Sequence, residues 1–223
     1  MKPRIAGLPV GKPFTVAVGG FASNAGKTTL ICKLLEAFPG WEAIKLTRDH
    51  HLHRGRDPYL CCGGNPLLGA PVICSGRDQN YQSGKDSARL WDAGASNVHW
   101  VVSAEAQAER GIRLALERVR SSGVFLEGNS FLRFIDVDVA IMVARSDGGR
   151  IKSTALYALE KSDALFLSDS IDGALARKRF AAWCEDPRHN SRVAGLPIHA
   201  HEDLPRLVEL VRSRYAARFP DSK

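Results

Sequence analysis

The chain has 223 residues, 44% of them hydrophobic and 25% charged, with a net charge of +7 at pH 7. These values are typical of a globular protein that can bury a sizeable core, and we predict a single domain over residues 1–223. No apolar run reaches the roughly 18 residues that a membrane helix needs. The N-terminus lacks the continuous apolar stretch of a secretion signal.

The positive charge and the cysteines narrow the class of protein further. The basic residues are spread along the chain without a recognition motif, so we expect an anionic small molecule rather than nucleic acid as the partner. Five cysteines are an odd number and do not form a disulfide framework. A reducing environment, and hence a cytoplasmic location, fits this usage better.

Strand-like apolar runs alternate with helical patterns along the chain. Ser83 is interpreted as the N-cap of a helix, with Asp86 completing a capping box. The alternation predicts a three-layer α/β fold with a mainly parallel central sheet flanked by helices. In chain order we predict strand 14–20, helix 27–37, strand 42–47, helix 83–94, strand 97–102, helix 104–120, strands 123–127 and 138–144, helix 151–161, strand 164–168, helix 172–185, strand 196–199 and helix 202–217.

A segment at about 48–82, rich in Gly, Pro, His and Cys, interrupts this rhythm. Because long structureless loops are uncommon in compact domains, we interpret it as a lid or a substrate-binding wall. Its histidines and cysteines could also hold a soft metal such as zinc. The adjacent pair Cys61-Cys62 does not have standard ligand spacing, which makes this second metal the less favoured interpretation. The candidate ligands are His50, His51, Cys61, Cys62 and Cys74.

The stretch VAVGGFASNAGKTTL, residues 16–30, predicts a phosphate-binding loop between a buried strand and a helix. Backbone N–H groups and the helix dipole attract phosphate oxygens at such a joint. Lys27 would reach the β- and γ-phosphates, and the Thr28 hydroxyl would ligate Mg²⁺. The predicted nucleotide-binding residues of the loop are Ser23, Asn24, Ala25, Gly26, Lys27, Thr28 and Thr29.

Phe21 stands where the pattern G-x-x-x-x-G-K-[ST] has its first glycine. A bulky residue is poorly suited to positive φ. We therefore expect the Gly19-Gly20 pair to make the backbone turn, and the Phe21 ring to point away from the phosphates.

Acidic residues at strand ends are candidates for the metal site and for base recognition. Glu127 ends a buried run, which is the position of an acid that holds Mg²⁺ through water or orients a nucleophilic water. Asp86 is a weaker candidate because a capping box explains it. Asp147 and Asp169 follow later strands, at the sheet edge where ligands bind, and either could recognise a base. The chain has no Asn-Lys-x-Asp guanine signature.

Several of these motifs stand in the same order as in one known family. SNAGKTTL at 23–30, GKDS at 84–87 with AGA at 93–95, and LEG at 126–128 resemble motifs of the molybdopterin-guanine dinucleotide biosynthesis protein B (MobB) family. Ile44-Lys45 is similar to part of that family's Ile-Lys-His segment. The chain departs from the pattern at Phe21 and in the Cys-bearing segment.

The resemblance implies a P-loop NTPase that binds GTP with Mg²⁺, often as a homodimer. It also implies a role in attaching a guanine nucleotide to molybdopterin, together with a cofactor-biosynthesis partner protein. It places Asp86 and Glu127 beside Thr28 at the metal. Fold and nucleotide binding transfer better than the molybdenum role.

The sequence therefore predicts Mg²⁺-dependent binding and weak hydrolysis of GTP or ATP, with Lys27 and Glu127 as the catalytic residues. Two other functions remain open. The first is a small-molecule kinase whose acceptor site is the 48–82 segment. The second is a metal-delivery protein that uses the histidines and cysteines of that segment and is switched by nucleotide.

Overall fold

The structure is a computed structural model, and it describes residues 11–48 and 70–220. One eight-stranded sheet has the order β3-β4-β2-β5-β1-β6-β7-β8. Neighbouring strands are parallel, except that β3 runs antiparallel to β4. The strands are β1 Phe14–Gly20, β2 Glu42–Arg48, β3 Val72–Ser75, β4 Val98–Ser103, β5 Gly123–Glu127, β6 Val139–Ala144, β7 Ala164–Leu167 and β8 Ile198–His199.

Helices follow most of the strands, and short 3₁₀ turns over Glu105–Gln107 and His201–Asp203 precede α4 and α9. Of the helices in the described ranges, none is long and apolar enough to cross a membrane. The helices are α1 Lys27–Ala37, α2 Arg77–Asn80, α3 Asp86–Asp92, α4 Ala108–Leu116, α5 Phe131–Phe134, α6 Ser153–Leu159, α7 Gly173–Cys184, α8 Pro187–Val193 and α9 Leu204–Arg218.

The sheet is buried on both faces because its strands alternate apolar side chains between two cores. In β1, Val16 and Val18 face the core that contains α1, α3 and α9, whereas Ala17 faces the core that contains α4 to α8. A parallel strand that is apolar on both faces is typical of a sheet sandwiched between helical layers. The predicted three-layer α/β fold is thus confirmed.

The described part of the 48–82 segment is more ordered than the sequence predicted. Residues 72–75 form the antiparallel edge strand β3 and residues 77–80 form α2, where we expected an irregular loop. Both are too short to give a periodic pattern. The short helices α5 and α8 were missed for the same reason.

Candidate phosphate-binding site

The loop between β1 and α1 turns at Asn24 and Gly26. Asn24 has φ 60° and Gly26 has φ 97°, and glycine adopts this left-handed region at little cost. Gly26 is the N-cap of α1, and no side chain in the described ranges caps this helix. The first backbone N–H groups of α1 therefore face the loop, where the helix dipole favours an anion.

Gly19 and Gly20 do not make the turn, so that expectation was wrong. Both belong to β1 and pair with Met142 and Val143 of β6, and neither has positive φ. The strand continues to its last residue because Asn129 completes its hydrogen bonding. The Asn129 side chain accepts from the Gly20 N–H at 2.7 Å and donates to the Gly20 carbonyl oxygen at 3.0 Å.

Phe21 is a core residue. Its side chain is 1% exposed, and its ring lies 6.3 Å from that of Phe180 and 5.8 Å from that of Trp183, centroid to centroid. The ring thus packs against α7, outside the concavity of the loop. The expected orientation is confirmed, and the missing glycine leaves the loop intact because its turn lies further along the chain.

Close packing fixes the two ends of the loop. A Cβ atom on Gly26 would lie 2.8 Å from the Cβ of Ser168, and one on Gly20 would lie 3.1 Å from the Cγ of Lys27. The stem of Lys27 therefore folds back over the end of β1. Within the loop, Ser23 and Asn24 are exposed, as is Thr29 in α1, whereas Ala25 and Thr28 are buried.

Lys27 is half-buried at the start of α1. Burial lowers the pKa of its ammonium group, and the carboxylate of Glu127 opposes that shift. Nearby Lys45 and Lys152 lower the pKa further because they add like charge. The three ammonium groups of Lys27, Lys45 and Lys152 therefore make the surroundings of the loop favourable for an anion.

Glu127 and Asp86 converge on one cation, Lys45. The Lys45 Nζ atom donates to Asp86 Oδ2 at 2.5 Å and to Glu127 Oε1 at 2.9 Å. Burial alone would lower the pKa of Lys45, but the two carboxylates outweigh it and raise that pKa. Burial likewise opposes the ionisation of Asp86, yet its bond to Lys45 holds the pKa of this carboxyl below its usual value. The cluster is therefore a charged triad.

Asp86 lies at the first position of α3, not within a capping box. The N-cap is Lys85, and Ser83 makes no cap, so the predicted helix start at Ser83 was wrong. The Asp86 carboxylate is drawn to Lys45 instead. One turn later, Arg89 donates to the hydroxyl of Thr29 at 2.8 Å, which ties α3 to the start of α1.

The second carboxylate oxygen of Glu127 has no partner. The side chain is 6% exposed, and Oε2 is buried without a hydrogen bond among the described residues. Such an atom carries a desolvation cost unless a donor or cation satisfies it. Carboxylates and a threonine hydroxyl are the hard oxygen ligands that Mg²⁺ prefers. The donor set of Glu127, Asp86 and Thr28 therefore fits magnesium.

Lys152, at the N-cap of α6, lies against the loop from the other side. Its backbone N–H donates to the Phe21 carbonyl oxygen at 2.9 Å, and its Nζ atom donates to Ser23 Oγ at 2.6 Å. The structure thus adds three residues to the site that the sequence motifs did not predict: Lys45, Asn129 and Lys152. The Asn that follows LEG and the Lys of the Ile-Lys pair were the available signals.

Asp169 follows β7 and is already engaged. It accepts from the backbone N–H of Ser146, and its other oxygen lies 3.5 Å from the Arg145 guanidinium. It joins the loops that follow β6 and β7 at the carboxyl edge of the sheet. Asp147 of the same region is exposed and lies 3.6 Å from Arg145.

The proposed second metal site lies mostly beyond the described residues. His50, His51, Cys61 and Cys62 all fall outside them. Cys74 lies buried in β3 and is disulfide-bonded, although the odd number of cysteines did not indicate disulfides. The bond removes Cys74 as a thiolate ligand. Within residues 11–48 and 70–220, no three His, Cys, Asp or Glu side chains cluster as metal ligands.

The comparisons with known proteins concern the fold. No protein-family model matches the chain, and no curated protein matches it. HypB from Helicobacter pylori, solved in complex with nickel, is similar with a TM-score of 0.53 and 14% identity over 95% of this chain and 91% of its own. LpxK from Aquifex aeolicus, solved in complex with ATP, has a TM-score of 0.45 and 17% identity over 84% of this chain.

The matched region spans about half of LpxK, 53% of its length. HypB matches over nearly the whole of both chains. At 14% identity, the similarity to HypB shows the fold alone. The chain has the P-loop NTPase fold, an eight-stranded, mostly parallel sheet with flanking helices.

Proposed function

We propose that the chain binds GTP or ATP with Mg²⁺ and hydrolyses the nucleotide slowly. The observation that carries this proposal is the placement of a buried, half-satisfied carboxylate, Glu127, beside the loop lysine Lys27. Glu127 is the last residue of β5, and Lys27 follows β1, the parallel strand next to β5. A phosphate-binding loop with a strand-end acid next to it is the arrangement that P-loop NTPases use for magnesium nucleotides.

The described residues divide this work among them. The backbone N–H groups of residues 23–29 would bind the phosphates, and the Lys27 ammonium would offset charge on the β- and γ-phosphates. Glu127, Asp86 and the Thr28 hydroxyl would hold Mg²⁺, which supplies charge neutralisation and orients the phosphates. Asp169, in the loop that follows β7, would recognise the base.

Lys45 contacts the two carboxylates to which the metal would bind. Its ammonium now satisfies one oxygen each of Asp86 and Glu127, and the free Glu127 oxygen remains. The metal and Lys45 would therefore share the two carboxylates. Binding of Mg²⁺ and nucleotide would be coupled, because the phosphates offer Lys45 another anionic partner.

A titration of ATP, GTP and CTP by calorimetry, with and without Mg²⁺, tests this function. We expect micromolar or tighter binding of a purine triphosphate that weakens when Mg²⁺ is removed. Lys27→Ala should abolish binding while the thermal unfolding transition persists. Lys178→Ala, an exposed lysine of α7, is the matched control. Retained affinity in Lys27→Ala would contradict the proposal.

Phosphoryl transfer to a small acceptor is the second candidate, favoured by Lys45. Hydrolysis needs no second, partly buried ammonium group near Lys27. An anionic acceptor, in contrast, would need such a group to bind it. The Lys45 side chain is 20% exposed and so can be reached. Stoichiometric transfer of the γ-phosphoryl group to a metabolite, in place of free phosphate release, would distinguish the kinase from the hydrolase.

The similarity of motifs to MobB supports a finer proposal, a homodimer that assists guanine nucleotide attachment to molybdopterin with a partner protein. Asp86 of GKDS and Glu127 of LEG, which are far apart in sequence, meet at Lys45 of the Ile-Lys pair. The convergence of three motif residues is consistent with a shared site. A preference for GTP over ATP would support this role, and equal affinities would count against it.

A further inference from the structure

Lys152 is held in place by the loop itself. Its backbone N–H and its ammonium group contact Phe21 and Ser23, at 2.9 and 2.6 Å respectively. The first bond fixes the chain at the N-cap of α6, and the second directs the side chain over the loop. The Lys152 side chain is long and exposed, but these two bonds hold it in one orientation over the phosphate-binding loop.

The aromatic cluster that replaces the loop's first glycine supports this placement. Phe21 packs against Trp183, and Trp183 covers Gly148, where a Cβ atom would lie 2.2 Å from the indole. Phe21 and the segment just before Lys152 therefore both pack against Trp183. Phe21 positions Lys152 through its carbonyl oxygen, while its own ring is anchored in the core.

The charge on Lys152 is not neutralised. In the described parts of the chain no carboxylate lies within salt-bridge distance of it, and the partner of its Nζ atom is the neutral hydroxyl of Ser23. Lys45, in contrast, is shared between two carboxylates. The Lys152 side chain therefore has no carboxylate partner among the described residues that would compete with an anionic ligand entering the loop.

We propose that Lys152 is a built-in cation that binds the terminal phosphate of the nucleotide and offsets the charge that develops there during phosphoryl transfer. The inference rests on the proposed function and assigns a contact to that site. A cation supplied to the transferred phosphoryl group of a P-loop NTPase stabilises the charge of the transition state, and a diphosphate lacks that group. Lys152 is thus a discriminator between triphosphate and diphosphate.

The test compares Kd values for a non-hydrolysable triphosphate analogue and for the matching diphosphate, with Mg²⁺, in wild type, Lys152→Met and Lys152→Arg. In Lys152→Met the triphosphate should bind about tenfold more weakly, the loss of one charge-assisted hydrogen bond, with diphosphate affinity within about twofold. Single-turnover phosphoryl transfer should fall about 100-fold. Lys152→Arg should recover most of both losses.

Lys178→Met serves as the control, and equal thermal unfolding of all variants shows that the fold is kept. Equal weakening of triphosphate and diphosphate in Lys152→Met would overturn the inference in favour of a structural role, and so would no weakening of either. Wild-type protein that binds no nucleotide would overturn both this inference and the proposed function. Wild-type binding with an unchanged triphosphate preference in Lys152→Met would overturn the inference alone.

Discussion

The Lys45 ammonium lies 2.9 Å from Glu127 Oε1, and the two residues stand on the neighbouring strands β2 and β5. The pair is largely buried, with side-chain exposures of 20% and 6%. Removing one partner of a buried ion pair leaves an uncompensated charge, which is more destabilising than the pair is stabilising. Lys45 is therefore a structural cation for the acids of the site as well as a candidate ligand contact.

Replacing Lys45 with methionine should leave the Glu127 carboxylate without its cation, whereas Asp86 Oδ1 still lies 3.7 Å from the Arg89 guanidinium. We expect the free energy of unfolding to fall by about 3 kcal/mol in metal-free buffer, and millimolar Mg²⁺ to restore part of it because the metal takes over the two carboxylates. Urea unfolding with and without Mg²⁺ measures both effects. Lys85→Met, an exposed lysine next to Asp86, is the control. A loss that Mg²⁺ does not reduce would argue against a shared cation site.

Glu127→Gln keeps the shape of the side chain and removes its charge. If Glu127 holds Mg²⁺, triphosphate affinity in the variant should lose most of its dependence on Mg²⁺. The ratio of the Kd values without and with Mg²⁺ should fall by about tenfold or more, the usual effect of losing an interaction at a metal site. Calorimetric titrations with Mg²⁺ and with a chelator report this ratio. In Glu209→Gln, an exposed carboxylate of α9, the ratio should match wild type. A preserved metal dependence in Glu127→Gln would remove Glu127 from the metal site.

The loop, its strand and its helix could be predicted from sequence because their signal is local, and Glu127 could be predicted because it ends an apolar run. The role of Lys45 could not, because it depends on contacts 41 and 82 residues away along the chain. The Ile-Lys pair marks the residue but does not indicate these contacts. The contact between Lys45 and Asp86 is also the reason why the predicted capping box was wrong. The spacing of Ser83 and Asp86 suits a capping box, but pairing with Lys45 determines where the Asp86 carboxylate points.

Phe21→Ala should destabilise the fold by about 3–5 kcal/mol, the usual cost of emptying a fully buried phenylalanine site. The reason is the loss of contacts with Phe180 and Trp183. Phe21→Leu retains most of the volume and should cost about 1 kcal/mol. Urea unfolding followed by tryptophan fluorescence measures both variants.

Phe21→Gly restores the first glycine of the pattern G-x-x-x-x-G-K-[ST] and tests directly whether Phe21 impairs the loop. We expect it to be at least as unstable as Phe21→Ala and to bind nucleotide no more tightly than wild type, because the turn is made at Asn24 and Gly26. Tighter binding by Phe21→Gly in calorimetry would show that the bulky residue impairs the loop.

The buried pair of Glu42 and His99 predicts a pH dependence of stability. His99 Nε2 and Glu42 Oε2 are 2.6 Å apart at exposures of 1% and 3%, and Glu42 Oε1 accepts from the backbone N–H groups of Arg120 and Ser121. Burial alone would raise the pKa of Glu42, but these bonds and the His99 contact lower it below its usual 4.5. The unfolded chain thus takes up this proton at a higher pH than the folded chain.

The stabilisation from Glu42 is therefore complete above pH 4.5 and is lost as the pH falls below that value towards the folded pKa, by up to about 1.4 kcal/mol per pH unit. We expect the difference in unfolding free energy between wild type and Glu42→Gln to shrink as the pH falls from about 4.5 downwards. Urea unfolding at a series of pH values gives this difference curve. The curve for the surface variant Glu209→Gln should stay flat over the same range. A Glu42→Gln curve equally flat would mean that the carboxyl of Glu42 has the same pKa in the folded and unfolded chain.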